Sequence, residues 1–156
     1  MSDSTAYCGS TLEAELAECG VYLTSTIGYS MAPLFSHRRD AVLISVPTGA
    51  IKKYDVILYP GTPGTYVLHR VIAVRDDYYI TRGDNTYFKE RVPKDKVLGV
   101  LVSFTRKGKK STVDTFGYRL YSRLWCAIYP VRLCLRKARR ALSRIYRAIF
   151  KRGKRK

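Results

Sequence analysis

Acidic residues are absent from the last quarter of this 156-residue chain: the 12 Asp and Glu all lie at or before Asp114, and residues 118–156 carry 14 Lys and Arg. That absence excludes a uniformly basic protein. Of the +17 formal charge, +14 belongs to the tail and only +3 to residues 1–117. Long apolar runs are also lacking. The longest charge-free stretch, Cys19 to His37, contains two Gly, one Pro and several Ser and Thr, and Arg123, Arg132 and Arg136 break the apolar stretches of the tail, so no membrane-spanning helix is expected. Residues 1–18 are polar and acidic, without the basic start and apolar block of a secretory signal or an amino-terminal anchor. The four cysteines, Cys8, Cys19, Cys126 and Cys134, are scattered. They lack the close Cys or Cys/His pairing of a zinc site and read as reduced packing residues of a cytosolic protein. Nothing resembles a P-loop or a dinucleotide-binding glycine motif, so no cofactor is expected.

What remains is a body of ordinary domain size, 46% hydrophobic over the whole chain, which is enough to build a core. Ser10-Thr11-Leu12-Glu13 has the spacing of a capping box and predicts a short helix from Thr11 to Cys19, closed by Gly20. From Val21 the pattern changes to strands. Val21–Ile27, Ala41–Val46, Val56–Tyr59, Tyr66–Val74, Tyr78–Thr81 and Val97–Phe104 are rich in Val, Ile, Thr and Tyr and are separated by Gly, Pro and Asp turn signals. With no long helices between them, these strands predict a mainly β body, a small antiparallel barrel or sandwich. The expected organisation is an N-terminal helix over 1–20, a β domain over 21–105, a linker over 106–117 and a basic amphipathic helical tail over 118–156. In that tail Tyr121, Leu124, Trp125, Ile128, Val131, Leu135, Ala138, Leu142, Ile145 and Ile149 form an apolar stripe. Pro130 interrupts it, and arginines occupy much of the remaining circumference, so one or two helices are expected.

Chemistry is sought first at Gly28-Tyr29-Ser30-Met31-Ala32-Pro33, where a serine follows a predicted strand at a sharp change of chain direction. A hydroxyl becomes a useful nucleophile only when a neighbouring base takes its proton. The chain has two histidines. His37 lies in a polar stretch that reads as a solvated loop, whereas His69 lies inside an apolar strand, where a polar ring is costly to bury without a partner. His69 is therefore the better base candidate. A carboxylate to orient the imidazole is offered by Asp84, in the turn Arg82-Gly83-Asp84-Asn85, or by Glu90. Each of these features also has a plain structural reading: an ordinary serine, a satisfied strand histidine, a hairpin turn.

Taken in order, the segments resemble the type I signal peptidases and their relatives, the self-cleaving SOS and phage repressors. Gly28-Tyr29-Ser30-Met31-Ala32-Pro33 looks like the Ser-Met-x-Pro nucleophile box, and Lys53-Tyr54-Asp55-Val56-Ile57 resembles the following Gly-Asp-Val-Val strand. Tyr66-Val67-Leu68-His69-Arg70-Val71-Ile72 is similar to the general-base box. Thr81-Arg82-Gly83-Asp84-Asn85, with Leu98-Gly99-Val100, resembles the closing Gly-Asp-Asn and Gly-x-Val boxes. The resemblance runs from about Thr24 to Val102, and His69-Arg70-Val71 looks like its histidine-base branch rather than the lysine-base one. It implies a signal-peptidase-like fold and a serine endopeptidase in which Ser30 is the nucleophile, His69 the general base and Asp84, or alternatively Glu90, the orienting carboxylate. Gly28 stands where the bacterial enzymes have a hydroxyl that helps bind the oxyanion, so that donor is missing.

The implied substrate is a leader or propeptide presented as an extended segment. For the tail, an anionic membrane surface comes first, and packing on a partner protein or on the β body itself second. Nucleic acid stands behind both, because it leaves the apolar stripe unexplained and no binding module is recognisable. The expected location is cytoplasmic, peripheral at the inner face of the membrane. Two rival expectations are a noncatalytic peptide- or membrane-binding module on the same fold and a self-cleaving repressor-type switch.

Overall fold

The computed structural model describes residues 12–152, with the side chains of 145 and 148–152 excepted. Ser10, Thr11 and Cys8, on which the proposed capping box and one cysteine depend, lie outside the described residues. The chain divides into two compact units, residues 1–119 and 120–156.

The first unit is mainly β. Helix α1 (Leu12–Cys19) is followed by β1 (Val21–Ser25), β2 (Ala41–Ser45), β3 (Val56–Pro60), β4 (Tyr66–Val74), β5 (Tyr78–Arg82), β6 (Glu90–Pro93), β7 (Gly99–Arg106) and β8 (Lys109–Thr112). All pairings are antiparallel, in the order β1-β2-β7-β3-β4-β5-β6 with β8 on the side of β7, and the sheet curls into a half-barrel. Alternation explains the flanking strands: Val42 and Ile44 of β2 point inward while their neighbours are half-buried. The central strand β3 is buried on both faces from Val56 to Tyr59, which is why it reads as a continuous apolar run. Ile57, Tyr59, Val71, Tyr79 and Val92 form one core cluster, with Ile51, Val67 and Val97 packed against it. Each such side chain contributes about 1.5–3 kcal/mol on burial.

Two strands differ from the sequence expectation. β6 lies where no strand is expected, since Glu90-Arg91-Val92-Pro93 holds two charges and a proline, and β8 lies within the expected linker over 106–117 and begins Lys109-Lys110. Among the described residues both sit where one side of the strand has no paired neighbour, which is where charged residues and proline are tolerated. β1 stops at Ser25 rather than Ile27. Thr26 there leaves the ladder, its amide donating to the Asp40 carbonyl and its hydroxyl to the Ser36 carbonyl at 3.1 Å.

Helix α2 (Phe116–Ala127) crosses the boundary between the units and is followed by α3 (Tyr129–Arg152). Pro130 sits in the first turn of α3, where a missing amide hydrogen costs nothing, so it starts a helix rather than kinking one. Within the second unit, Leu124, Val131, Leu135, Leu142 and Tyr146 are exposed. Tyr121 stacks on Trp125, and the Arg132 guanidinium lies 3.9 Å from the Trp125 ring centre. No helix among the described residues is long and apolar enough to cross a membrane.

Candidate active site

Strand register assembles the site. His69 on β4 pairs with Ile57 on β3, two residues from Tyr59; Val71, two residues from His69, pairs with Thr81 on β5; Thr81 pairs with Glu90 on β6. Because side chains alternate, Tyr59, His69, Thr81 and Glu90 all project from the core face of four adjacent strands. His69 Nδ1 lies 3.3 Å from Glu90 Oε2 and 3.1 Å from the Tyr59 hydroxyl. That hydroxyl is 3.2 Å from Thr81 Oγ1 and donates a short hydrogen bond to Glu90 Oε2.

Arg70, next along β4, must point the other way. Its Nε and Nη2 donate to the two oxygens of Asp84 at 2.8 and 2.7 Å, both side chains are almost fully buried, and Nη1 donates to the Tyr54 carbonyl and the Tyr118 hydroxyl. Asp84, the carboxylate first expected beside His69, is therefore held by arginine on the opposite side of the strand. Glu90, the alternative, is the one in contact with the imidazole. Burial acts to lower the Arg70 pKa, but Asp84 and Tyr118 hold it above its ordinary value, so this pair is a fixed structural charge pair.

The Ser30 turn occupies the β1–β2 connection. Met31, Leu34 and Phe35 anchor it in the core, with Phe35 edge-on to Phe104 at 5.3 Å, and the Ala32–Pro33 peptide is cis. Asp40, 1% exposed, accepts the Ser36 amide at 2.7 Å and the Lys107 amide at 3.4 Å, which braces the far end of the connection. The β5–β6 turn clamps the near end: the Asn85 amide donates to the Ser30 carbonyl at 2.7 Å, and Asn85 Nδ2 donates to the Tyr29 carbonyl at 3.2 Å. Gly83 lies between the two halves of the site. A Cβ placed there would stand 2.6 Å from the Ser30 carbonyl oxygen and 2.9 Å from His69 Nε2, so the serine turn and the free edge of the imidazole face each other across a residue with no side chain. The three residues of the Gly-Asp-Asn turn thus have separate tasks: close approach, the arginine tie and the serine clamp.

His69 is 4% exposed, and burial lowers its pKa from the ordinary 6.5, against the raising influence of Glu90 and Asp84. The ring is thereby favoured in its neutral, basic form. Among the described residues nothing hydrogen-bonds to Nε2 or to Ser30 Oγ, and no buried side-chain nitrogen or oxygen is left without a partner, so Nε2 is not fully enclosed. The Ser30 amide likewise donates to no group among the described residues. The Gly28 amide, by contrast, is occupied, donating to His37 Nδ1 at 2.8 Å while the His37 ring stacks on Tyr29. His37 was expected to be a solvated loop residue; it is half-buried and supports the serine turn.

Sequence reasoning missed Tyr59 and Thr81. Their positions opposite Val67 and Val71 only acquire meaning once the register is known. Among the described residues no group of three His, Cys, Asp or Glu side chains is placed to hold a metal. No protein-family model and no curated protein matches this chain.

Proposed function

We propose that this chain is a serine endopeptidase that cleaves a leader or propeptide, with Ser30 as nucleophile, His69 as general base and Glu90 as the carboxylate that orients the imidazole. The observation that carries the reading is Gly83, against which the Ser30 turn and the unengaged Nε2 of His69 converge. The ordered resemblance to the signal peptidase boxes supports it independently. An extended peptide segment lies alongside the Ser30 turn. Its scissile carbonyl carbon is attacked by Ser30 Oγ as the hydroxyl proton passes to His69 Nε2. The developing oxyanion is met by the free Ser30 amide. His69 returns the proton to the departing amine, leaving an acyl-enzyme, and then takes a proton from the water that hydrolyses it. Glu90 stabilises the imidazolium during both transfers.

The tail suits a peripheral position at the inner face of the membrane. Its exposed apolar stripe lies beside an all-cationic face, the arrangement of a helix that rests in an anionic lipid interface, where each basic residue contributes about 1 kcal/mol. The test has two parts. A fluorophosphonate probe is expected to label Ser30, and a peptide library read by mass spectrometry is expected to be cleaved by the wild type but not by Ser30→Ala or His69→Ala. Absence of both labelling and cleavage, or cleavage at the wild-type rate by either variant, refutes the peptidase. Flotation with phosphatidylglycerol-containing vesicles is expected for the full chain and not for a chain ending at residue 119, which keeps the Tyr118 partner of Arg70; equal flotation removes the tail from the membrane role.

A further inference from the structure

The proposed reaction leaves unused the tyrosine at the centre of the His69 network. Tyr59 is 6% exposed, and its hydroxyl meets Glu90 Oε2, His69 Nδ1 and Thr81 Oγ1 at once. A phenol has one proton to donate and can accept two. The carboxylate has no proton to offer, so the Tyr59 proton goes to Glu90 Oε2. The phenol oxygen is then left to accept, and the Thr81 hydroxyl and an Nδ1–H on His69 are the two donors in reach. With the proton on Nδ1, the lone pair of the neutral ring is on Nε2, the edge that faces Gly83 and the Ser30 turn.

We infer that Tyr59 is a positioning residue which fixes His69 in the Nδ1–H tautomer and, by sharing its proton with Glu90, tempers the carboxylate charge so that the ring remains a neutral base. Only the effect on rate rests on the peptidase reading; the protonation state stands on the geometry. The need for tempering is electrostatic. An unshared carboxylate 3.3 Å from a buried imidazole favours the imidazolium, which has no lone pair for a serine proton. The other groups acting on His69 do not replace Tyr59. Thr81 from β5 hydrogen-bonds the phenol, and Asp84 from the β5–β6 turn, which also acts to raise the His69 pKa, is tied to Arg70 on the other side of β4 and shares no proton with Glu90. Phenylalanine at position 59 would retain the edge-to-face contact with His69, at 6.2 Å between ring centres, and remove the hydroxyl alone.

The test uses the full chain labelled with 15N-histidine. There are only two histidines, and His69→Ala identifies the second signal. Long-range 1H–15N spectra across a pH titration are expected to show the Nδ1–H tautomer of His69 in the wild type. In Tyr59→Phe the His69 pKa is expected to rise by about one unit, and the acid limb of kcat/KM is expected to move with it at unchanged KM. In a Glu90→Gln background the same substitution is expected to produce no upward shift, because the charge being tempered is gone. A wild-type Nε2–H tautomer, an unchanged or lowered pKa in Tyr59→Phe, or an equal shift without Glu90 overturns the inference. Should Tyr59→Phe not fold, Thr81→Val, which deletes one donor to the phenol, must shift His69 upward by a smaller amount, and no shift overturns the inference equally. If no form of the protein cleaves peptide, the peptidase reading fails while the spectra still decide the role of Tyr59.

Discussion

Replacing Gly83 by alanine separates the proposed site from the fold that carries it. Gly83 is not in the left-handed region, so the added methyl brings no backbone strain and its whole effect is steric. The new Cβ would stand 2.6 Å from the Ser30 carbonyl oxygen, 2.9 Å from His69 Nε2 and 3.0 Å from Thr86 Cγ2, where ordinary contact begins at 3.4 Å. Relief requires the Ser30 turn to retreat by about 0.8 Å, a typical overpacking displacement. The Asn85 amide, which reaches the Ser30 carbonyl at 2.7 Å, belongs to the same turn as Gly83, so the retreat stretches the clamp that sets the serine. Overpacking and a weakened hydrogen bond together cost about 2–4 kcal/mol of stability. A misplacement approaching 1 Å between nucleophile and base costs about a hundredfold in rate. The assay is kcat/KM per folded molecule, with the folded fraction taken from thermal denaturation. Gly64→Ala is the control. Its φ of +77° makes alanine strained, at about 1–2 kcal/mol, but nothing lies within 4 Å of the new methyl, so stability falls and the rate per folded molecule does not. Gly83→Ala turning over at the wild-type rate would refute the convergence of Ser30 and His69 on this residue.

Three further outcomes follow from the same geometry. Asp84→Ala strands the buried Arg70 guanidinium and is expected to lower unfolding stability by about 3–5 kcal/mol, measured by urea denaturation; a loss below 1 kcal/mol contradicts the buried pair. Glu90→Gln removes a half-exposed carboxylate from the edge strand, so it is expected to cost little stability but at least about tenfold in kcat, because the imidazolium loses its counter-charge; an unaffected kcat argues against Glu90. The acid limb of the kcat/KM profile is expected below pH 6.5. Burial pulls the His69 pKa under that value, so the ring stays neutral down to a lower pH, and activity falls only as pH drops through the depressed pKa; a limb centred above 6.5 contradicts this.

The order of strands β1 to β5 and β7 was legible because apolar alternation and turn residues coincide there, and Ser30, His69 and the Gly-Asp-Asn turn stood out for the same reason: each is a polar interruption in a readable pattern. β6 and β8 were not legible, since tertiary pairing alone makes strands of Glu-Arg-Val-Pro and Lys-Lys-Ser-Thr. The support given by His37 was hidden because its partner is a backbone amide, which no sequence pattern marks. Tyr59 looked like one more β-forming aromatic of a core strand. Its hydroxyl becomes informative only when β3, β4, β5 and β6 are set in register.

That register also accounts for the choice between the two carboxylates, which spacing along the chain could not make. His69 and Arg70 are consecutive on β4, so they face opposite sides of one strand, and each draws the acid that arrives on its own side. Asp84 comes in a turn, directly after β5, on the side of Arg70. Glu90 comes one strand later, opposite Thr81, on the side of His69. The buried arginine pair is the stronger tie, and it holds the turn that supplies Gly83 and Asn85 to the serine. The weaker, partly exposed contact of Glu90 is left to His69, the group whose charge would have to change in the proposed reaction. A carboxylate locked to arginine cannot respond to a proton arriving on histidine, whereas one shared between a phenol and an imidazole can, and that division places a rigid ion pair on one face of β4 and, in the proposed reaction, proton transfer on the other.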